Sequence, residues 1–156
     1  MIQYLSDGSA ATISLEEYSA TPAIGDQPYI LVIDDCSDIT SVVLLMLEME
    51  GYAGLAISDS LEVLPFLQHV QSEGKQPMAS LILLDLMMPE LSGYELAEQL
   101  MQHPTYACIP IIIMTADSRV RTARAIPGAV DLLSKPFQVS TLLSKVGSYL
   151  SPVACG

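Results

Sequence analysis

Four short stretches hold the residues that could do chemistry: Asp34-Asp35, Asp85, Thr115-Ala116, and Lys135 with Pro136-Phe137 behind it. Three carboxylates brought together repel one another and need compensation at neutral pH. A hard divalent cation such as Mg²⁺ meets that need, because it prefers oxygen ligands and keeps several waters. Lys135 adds a hydrated point charge able to hold phosphate. Thr115 adds a hydroxyl donor, and Ala116 leaves room beside it. A metal, a lysine and a hydroxyl donor around one carboxylate describe phosphoryl transfer to an aspartate nucleophile. The cationic groups neutralise charge on the equatorial oxygens while the carboxylate attacks in line.

Such a site exists only if the four stretches meet, and the runs in front of them say how they can. Tyr29–Ile33, Leu81–Leu84 and Ile109–Met114 are apolar throughout, and each runs into one of these polar residues. Short apolar runs without alternation suit parallel strands covered on both faces. Ala53–Ile57 and Val130–Leu133 are weaker strand candidates. Helical patterns lie between them. In Asp38–Glu50, Ile39, Val42, Val43, Met46 and Leu47 share one face, which leaves Leu44 and Leu45 off the stripe. Gly51 stops that helix. Ser60–Gln71 is a second helix, which starts late or kinks because Pro65 lies inside it. Ser92–Met101 opens on a cap at Ser92 with Glu95 at the capping-box position. Ser118–Ile126 is a short fourth helix, and Gln138–Leu150 is a fifth. Five β-α units across 29–150 give an α/β domain: a doubly wound, five-stranded parallel sheet with helices on both faces. Ligands of such sheets sit at the carboxyl ends of the strands, where the four stretches converge.

Residues 1–28 stand outside the repeat as an N-terminal extension. Gln3–Leu5 and Ala11–Leu15 read as two small strands around the turn signal Asp7-Gly8. Thr21–Pro28 reads as a linker, and 151–156 as a tail too short for an output domain.

The pieces Ile30-Leu31-Val32-Ile33-Asp34-Asp35, Leu83-Leu84-Asp85-Leu86-Met87-Met88-Pro89, Ile109-Pro110-Ile111-Ile112-Ile113-Met114-Thr115-Ala116 and Lys135-Pro136-Phe137 occur in that order. Together with Gly93 and Gly128-Ala129 they resemble the receiver domain of two-component response regulators over about residues 28–150. The resemblance implies a flavodoxin-like sheet of strand order 2-1-3-4-5. It implies Asp85 as the residue phosphorylated by a histidine kinase or a histidine phosphotransfer protein. Asp35 and Asp85 would hold Mg²⁺ with the backbone carbonyl of Met87, and Asp34 would sit on or beside the metal. Thr115, Ala116 and Lys135 would surround the phosphoryl group, and the peptide bond before Pro136 is a cis candidate, rare otherwise. Family phosphodonors pack helices against the first helix, which offers Leu44 and Leu45 as docking positions, or as ordinary core or scattered surface apolar residues. The chain also departs from the pattern. Leu132 stands where receivers usually carry a Tyr or Phe switch three positions before the motif Lys. The interval from Thr115 to Lys135 is short, so the fourth helix or its loop is trimmed. The segment Glu73 to Pro77 is longer than usual.

Composition narrows the class. The chain has 156 residues, is 51% hydrophobic and 15% charged, and carries a net charge of −12. That excludes global disorder. Residues 1–74 hold twelve acidic side chains and no Lys or Arg, so such a surface repels nucleic acid and anionic membranes. The longest apolar run, Val42–Leu47, is too short for a membrane span, and the N-terminus lacks a basic signal region. Cys36, Cys108 and Cys155 show neither zinc spacing nor a disulfide framework, which points to a reducing cytoplasm. Arg119, Arg121 and Arg124 read as the solvated face of the short fourth helix or as a patch for an acidic partner.

The reading is a stand-alone phospho-accepting response regulator. It acts on an unassigned downstream protein by shifting between two conformations, and it is not an enzyme beyond taking up and slowly losing its own phosphoryl group. A second copy of the chain is one candidate partner, with residues 1–28 as the interface. Two rivals remain. One is a receiver-fold scaffold that does not use phosphorylation, for which Leu132 speaks. The other is a Mg²⁺ phosphatase with Asp85 as nucleophile; it lacks a second acid two residues on, where Met87 stands.

Overall fold

The computed structural model describes residues 28–74 and 78–150, and the backbone of 2–6 and 9–13. The strands are β1 (Ile2–Ser6), β2 (Ser9–Ile13), β3 (Tyr29–Ile33), β4 (Ala53–Ile57), β5 (Leu81–Asp85), β6 (Ile111–Thr115) and β7 (Ala129–Ser134). The helices are α1 (Ser37–Met49), α2 (Val63–Glu73), α3 (Gly93–Met101), α4 (Pro104–Ala107) and α5 (Val139–Tyr149). The five parallel strands lie in the order β4-β3-β5-β6-β7. That is the expected 2-1-3-4-5 arrangement.

Alternation along the buried strands builds two cores. Leu31, Ile33, Leu55, Ile57, Ile82, Leu84 and Ile113 face α2 and α3, where Phe66, Leu67, Leu96 and Leu100 meet them. Ile30, Val32, Ala56, Leu81, Leu83, Ile112 and Met114 face α1 and α5, where Val43, Leu47, Leu142 and Val146 meet them. A strand covered on both faces must be apolar at every position, which is why these runs carry no polar alternation. The chain turns polar only where the cover ends, at Asp34, Asp85 and Thr115.

Local chemistry sets the helix ends. Ser92 Oγ accepts from Glu95 N–H at 3.3 Å while Glu95 Oε2 accepts from Ser92 N–H at 2.9 Å, so α3 starts in a closed capping box. Residues 60–62 form a 3₁₀ turn and the α-helix starts late, at Val63. Pro65 therefore sits in the first turn, where its missing N–H breaks no bond. Gly51 and Gly74 close α1 and α2 at φ 83° and 61°.

Four expectations need correction. No fourth helix spans Ser118–Ile126; only a 3₁₀ turn at Ala123–Ala125 forms. Asp117 Oδ1 takes the N–H of Arg119 and Thr122 Oγ1 that of Arg124, so side chains satisfy backbone that a helix would otherwise pair. Pro127 then holds Ile126 extended, at φ −122°. The second correction concerns α1. Val42, expected on the buried stripe, is 49% exposed; of the two readings of Leu44 the core one holds, at 1% exposed, and Leu45 is 55% exposed. Gly54 on β4 decides this: a Cβ there would lie 2.7 Å from Leu44 Cδ2, so the helix settles with Leu44 over the glycine. Third, the two N-terminal strands join the sheet. β1 pairs antiparallel with β4, Ile2 opposite Ile57, and β2 pairs with β1. The sheet thus has seven described strands, with β1 and β2 added at the β4 edge by successive antiparallel pairings. Fourth, among the described cysteines Cys36 is a free thiol but Cys108 is disulfide-bonded. The Asp7-Gly8 turn, most of the 21–28 linker, residues 75–77 and the 151–156 tail lie outside the described residues. No helix among the described residues is long and apolar enough to cross a membrane.

The contrast on α1 is testable. Leu44→Ala is expected to cost about 3 kcal/mol of unfolding free energy in urea, and Leu45→Ala within about 0.5 kcal/mol of nothing.

Candidate functional site

Parallel strands end on one rim, and each polar residue there sits where its strand leaves the core. Asp34 and Asp35 follow β3, Asp85 ends β5, Thr115 ends β6, and Lys135 follows β7. One carboxylate oxygen from each of Asp34, Asp35 and Asp85 lies within 4.8 Å of the others. Asp34 and Asp85 are buried, and Asp35 faces solvent. Lys135 Nζ donates to Asp34 Oδ2 at 2.6 Å and lies 3.5 Å from Asp85 Oδ1. The lysine is thus shared between the two buried acids.

The backbone aims the rest. Cys36 N–H donates to Asp34 Oδ1 at 3.0 Å, and Met87 N–H to Asp85 Oδ1 at 3.4 Å. Thr115 is buried, and its Oγ1 accepts from Asp117 N–H at 3.0 Å. Lys135 N–H donates to the Thr115 carbonyl at 2.8 Å, which ties the last two strand ends together. The Lys135–Pro136 peptide is cis. Ala116 is exposed. With Ile39, Val42, Met46, Pro136 and Phe137 it borders an apolar hollow of about 460 Å³ between α1 and the β7–α5 connection.

Several features of the rim show what they do only in the fold. Gly93 opens α3 so close to β5 that a Cβ would lie 2.3 Å from the Asp85 carbonyl oxygen. Only glycine lets α3 start there while its N–H donates to the Leu86 carbonyl at 3.0 Å. Glu90 takes a left-handed backbone at φ 66°, in the loop that carries Met87. Arg119 lies on the loop that replaces the expected fourth helix and forks onto Asp117 at 2.8–3.2 Å. Leu132, at the expected aromatic position, is partly buried and packs against the core on the α2 and α3 face.

Charge then sets protonation. Burial raises the Asp85 pKa to about 6; the Asp34 charge adds to this, and Lys135 and the Met87 N–H oppose it. Burial works against the charge on Lys135, but its bond to Asp34 and the charges of Asp34 and Asp85 prevail and raise its pKa. The lysine stays charged. The three acids and one lysine leave the cluster near −2 at neutral pH, which a divalent cation would cancel. The donors are all oxygens, and one of the acids faces solvent, so the set fits Mg²⁺ with waters completing its shell.

A raised carboxylate pKa means that the folded chain holds a proton that the unfolded chain has already lost. Between about pH 4 and pH 6 the folded state binds more protons, so stability falls as pH rises through that window. Without divalent cation, wild type should therefore lose on the order of 2 kcal/mol relative to Asp85→Asn between about pH 4 and pH 7. Parallel urea titrations measure the difference, and a difference constant with pH would contradict the assignment.

The chain matches the model of the response regulator receiver domain over residues 30–147. It is 33% identical over 125 residues to the DNA-binding dual master transcriptional regulator RpaA of Synechocystis sp., covering 79% of this chain and 49% of that one. It is 32% identical over 127 residues to the two-component response regulator ORR5 of Oryza sativa subsp. japonica, covering 78% and 90%. The chain thus spans about half the length of the first relative and most of the second. The response regulator TrrA of Thermotoga maritima, solved in complex with Mg²⁺ and BeF, superposes with a TM-score of 0.67 at 28% identity, over 80% of this chain and 100% of that one. The strand order, the rim of acids with one shared lysine and these matches lead to one conclusion: the chain belongs to the receiver domain family of two-component response regulators.

Proposed function

We propose that the chain is a phospho-accepting response regulator in which Asp85 takes a phosphoryl group from the phosphohistidine of a histidine kinase or a phosphotransfer protein. The observation that carries this is the Lys135 ammonium, 2.6 Å from Asp34 and 3.5 Å from Asp85, inside a three-carboxylate cluster. With a pKa near 6, Asp85 is mostly ionised at pH 7 and available as the nucleophile. Its oxygen bonds to phosphorus as the phosphorus–nitrogen bond of the donor breaks. Lys135 neutralises a phosphoryl oxygen, and Thr115 keeps its hydroxyl proton to donate to another. Asp34, Asp35, Asp85 and the Met87 carbonyl would hold Mg²⁺, which when bound supplies further charge neutralisation. The solved relative with Mg²⁺ and BeF supports that assignment by likeness.

The apolar hollow between α1 and Phe137 borders this rim, with the exposed Val42 on its wall. A donor helix packed there would bring its phosphohistidine to Asp85. Phosphorylation would then shift the balance between two conformations, and output would pass through contact with another protein rather than through DNA. Residues 29–150 form the receiver in this reading, 1–28 an extension, and 151–156 a tail. The chain works in the cytoplasm, where such phosphodonors act. Met87, 64% exposed two residues after Asp85, leaves no second acid there and disfavours a phosphatase. Leu132 keeps the scaffold reading as the alternative.

Incubation with Mg²⁺ and acetyl phosphate, followed by intact mass measurement, tests the proposal. Wild type should gain one phosphoryl group and Asp85→Asn none. Equal labelling of both would exclude Asp85 as the acceptor. No gain with acetyl phosphate or phosphoramidate, with Mg²⁺ binding established by calorimetry, would favour the scaffold.

A further inference from the structure

The two edges of the sheet are built differently. β7 ends it on one side, and that edge is closed. The register of β7 against β6 breaks between Ile111 and Ile112, where Val130 is skipped. Side chains then occupy backbone groups of the same edge. Tyr149 Oη donates to the Val130 carbonyl at 3.2 Å, and Asp131 Oδ1 accepts the Leu132 N–H at 2.7 Å. Lys145 Nζ holds that carboxylate at 2.8 Å. A bulge and charged side chains are the devices that keep an added strand off an edge.

β2 ends the sheet on the other side and has none of these devices. It pairs with β1 at five successive positions without a bulge, from Ile2 opposite Ile13 to Ser6 opposite Ser9. Among the described residues nothing pairs with its outer side. Its sequence, Ser9-Ala10-Ala11-Thr12-Ile13, holds neither a proline nor a charge. Such an edge offers a row of backbone N–H and C=O groups as a template for another strand.

We propose that the β2 edge is a self-association surface: β2 of one copy pairs antiparallel with β2 of a second copy, about a two-fold axis at Ala11, and the two sheets become one. Three observations select a second copy as the occupant. First, the closed β7 edge cannot receive β2 of another copy, so β2 meets only β2 and the assembly closes at two. Second, the chain carries a net charge of −12, so copies repel and approach best where charge is absent. Residues 8–15 hold no charged side chain, although Asp7, Glu16 and Glu17 flank them. Third, an antiparallel pair about Ala11 sets Ser9 against Ile13 and Ala10 against Thr12. No acid then stands opposite an acid, and no charge on the strand selects a partner of opposite sign. Five paired residues make a small interface, so the dimer is reversible and depends on concentration. The inference does not depend on phosphorylation of Asp85.

Sedimentation of the full chain over a range of concentrations, up to high micromolar, tests the surface. A monomer–dimer equilibrium should appear, and about 0.5 M NaCl should strengthen it several-fold by screening the repulsion between copies. Asp85→Asn should dimerise as wild type does. Ala10→Lys with Thr12→Lys sets lysine opposite lysine across the axis while it lowers the net repulsion between copies, so loss of the dimer in this variant reports the edge itself. Its circular dichroism and urea midpoint show whether the domain is folded. A second variant, Ala11→Cys with Cys36→Ser, decides the matter if it is not. Facing residues of an antiparallel pair have Cα atoms about 4.5–5.5 Å apart, within reach of a disulfide. Mild oxidation should therefore join two chains at position 11. Residues 1–74 hold no Lys or Arg, so a non-reducing tryptic digest should contain residues 1–75 linked to a second 1–75. A monomer at every concentration would overturn the proposal. So would a dimer that survives in the folded lysine variant, a dimer that salt dissolves, species larger than a dimer, or a dimer whose 1–75 peptides stay unlinked.

Discussion

Two buried carboxylates, Asp34 and Asp85, share one ammonium group, and the rest of the rim depends on that sharing. Without Lys135 the cluster would hold three negative charges within 4.8 Å, a separation at which repulsion in a partly buried setting amounts to several kcal/mol. With it, the cluster keeps a residual charge near −2. That residue is large enough to draw a divalent cation and small enough for the domain to fold without one. The lysine lies closer to Asp34 than to Asp85. Burial raises the Asp85 pKa to about 6, the Asp34 charge adds to it, and the more distant lysine offsets only part of the rise. The proposed acceptor role calls for a carboxylate that is ionised yet poorly solvated, and this arrangement suits it.

The fold serves to hold that geometry. Asp34 and Asp85 extend neighbouring parallel strands whose register pairs Ile33 with Leu84, so the two side chains emerge side by side. Lys135 arrives from the far edge, two strands beyond β5, and its N–H is pinned by the Thr115 carbonyl. Gly93 lets α3 close against the end of β5. Each constraint acts on backbone, and the strands that carry it are buried on both faces. The side chains at the rim thus inherit the rigidity of the core.

Most of this was legible in the sequence because the signals are local. A fully apolar strand that ends in Asp or Thr states its own burial and its own exit, and a Ser-x-x-Glu box states where α3 starts. Where the reading failed, distant contacts or competing local bonds decided the outcome. Leu44 is core because Gly54, ten residues on, has no side chain, and no helical pattern within α1 reveals that. The stretch Ser118–Ile126 has helical spacing, but Asp117 and Thr122 spend their oxygens on the backbone and Pro127 ends it. The small N-terminal strands were visible, but their place beside β4 was not, since an added edge strand leaves no mark on the strand it joins. Within the site, the sequence named the acids and the lysine but not which acid the lysine prefers. That choice depends on distances of about 1 Å. Leu132 departs from the aromatic pattern at the switch position, and it is partly buried against the core on the α2 and α3 face.

The sharing of Lys135 makes it a competitor for any cation at Asp34, and a Mg²⁺ titration of wild type and Lys135→Met by calorimetry at pH 7 tests this most directly. Removing the ammonium frees Asp34 and deepens the cluster charge from about −2 to about −3. The variant should bind Mg²⁺ more tightly, by roughly tenfold, while losing the capacity to take a phosphoryl group. Equal or weaker Mg²⁺ binding by Lys135→Met would contradict the account, because the lysine would then be organising the cation site rather than compensating for it.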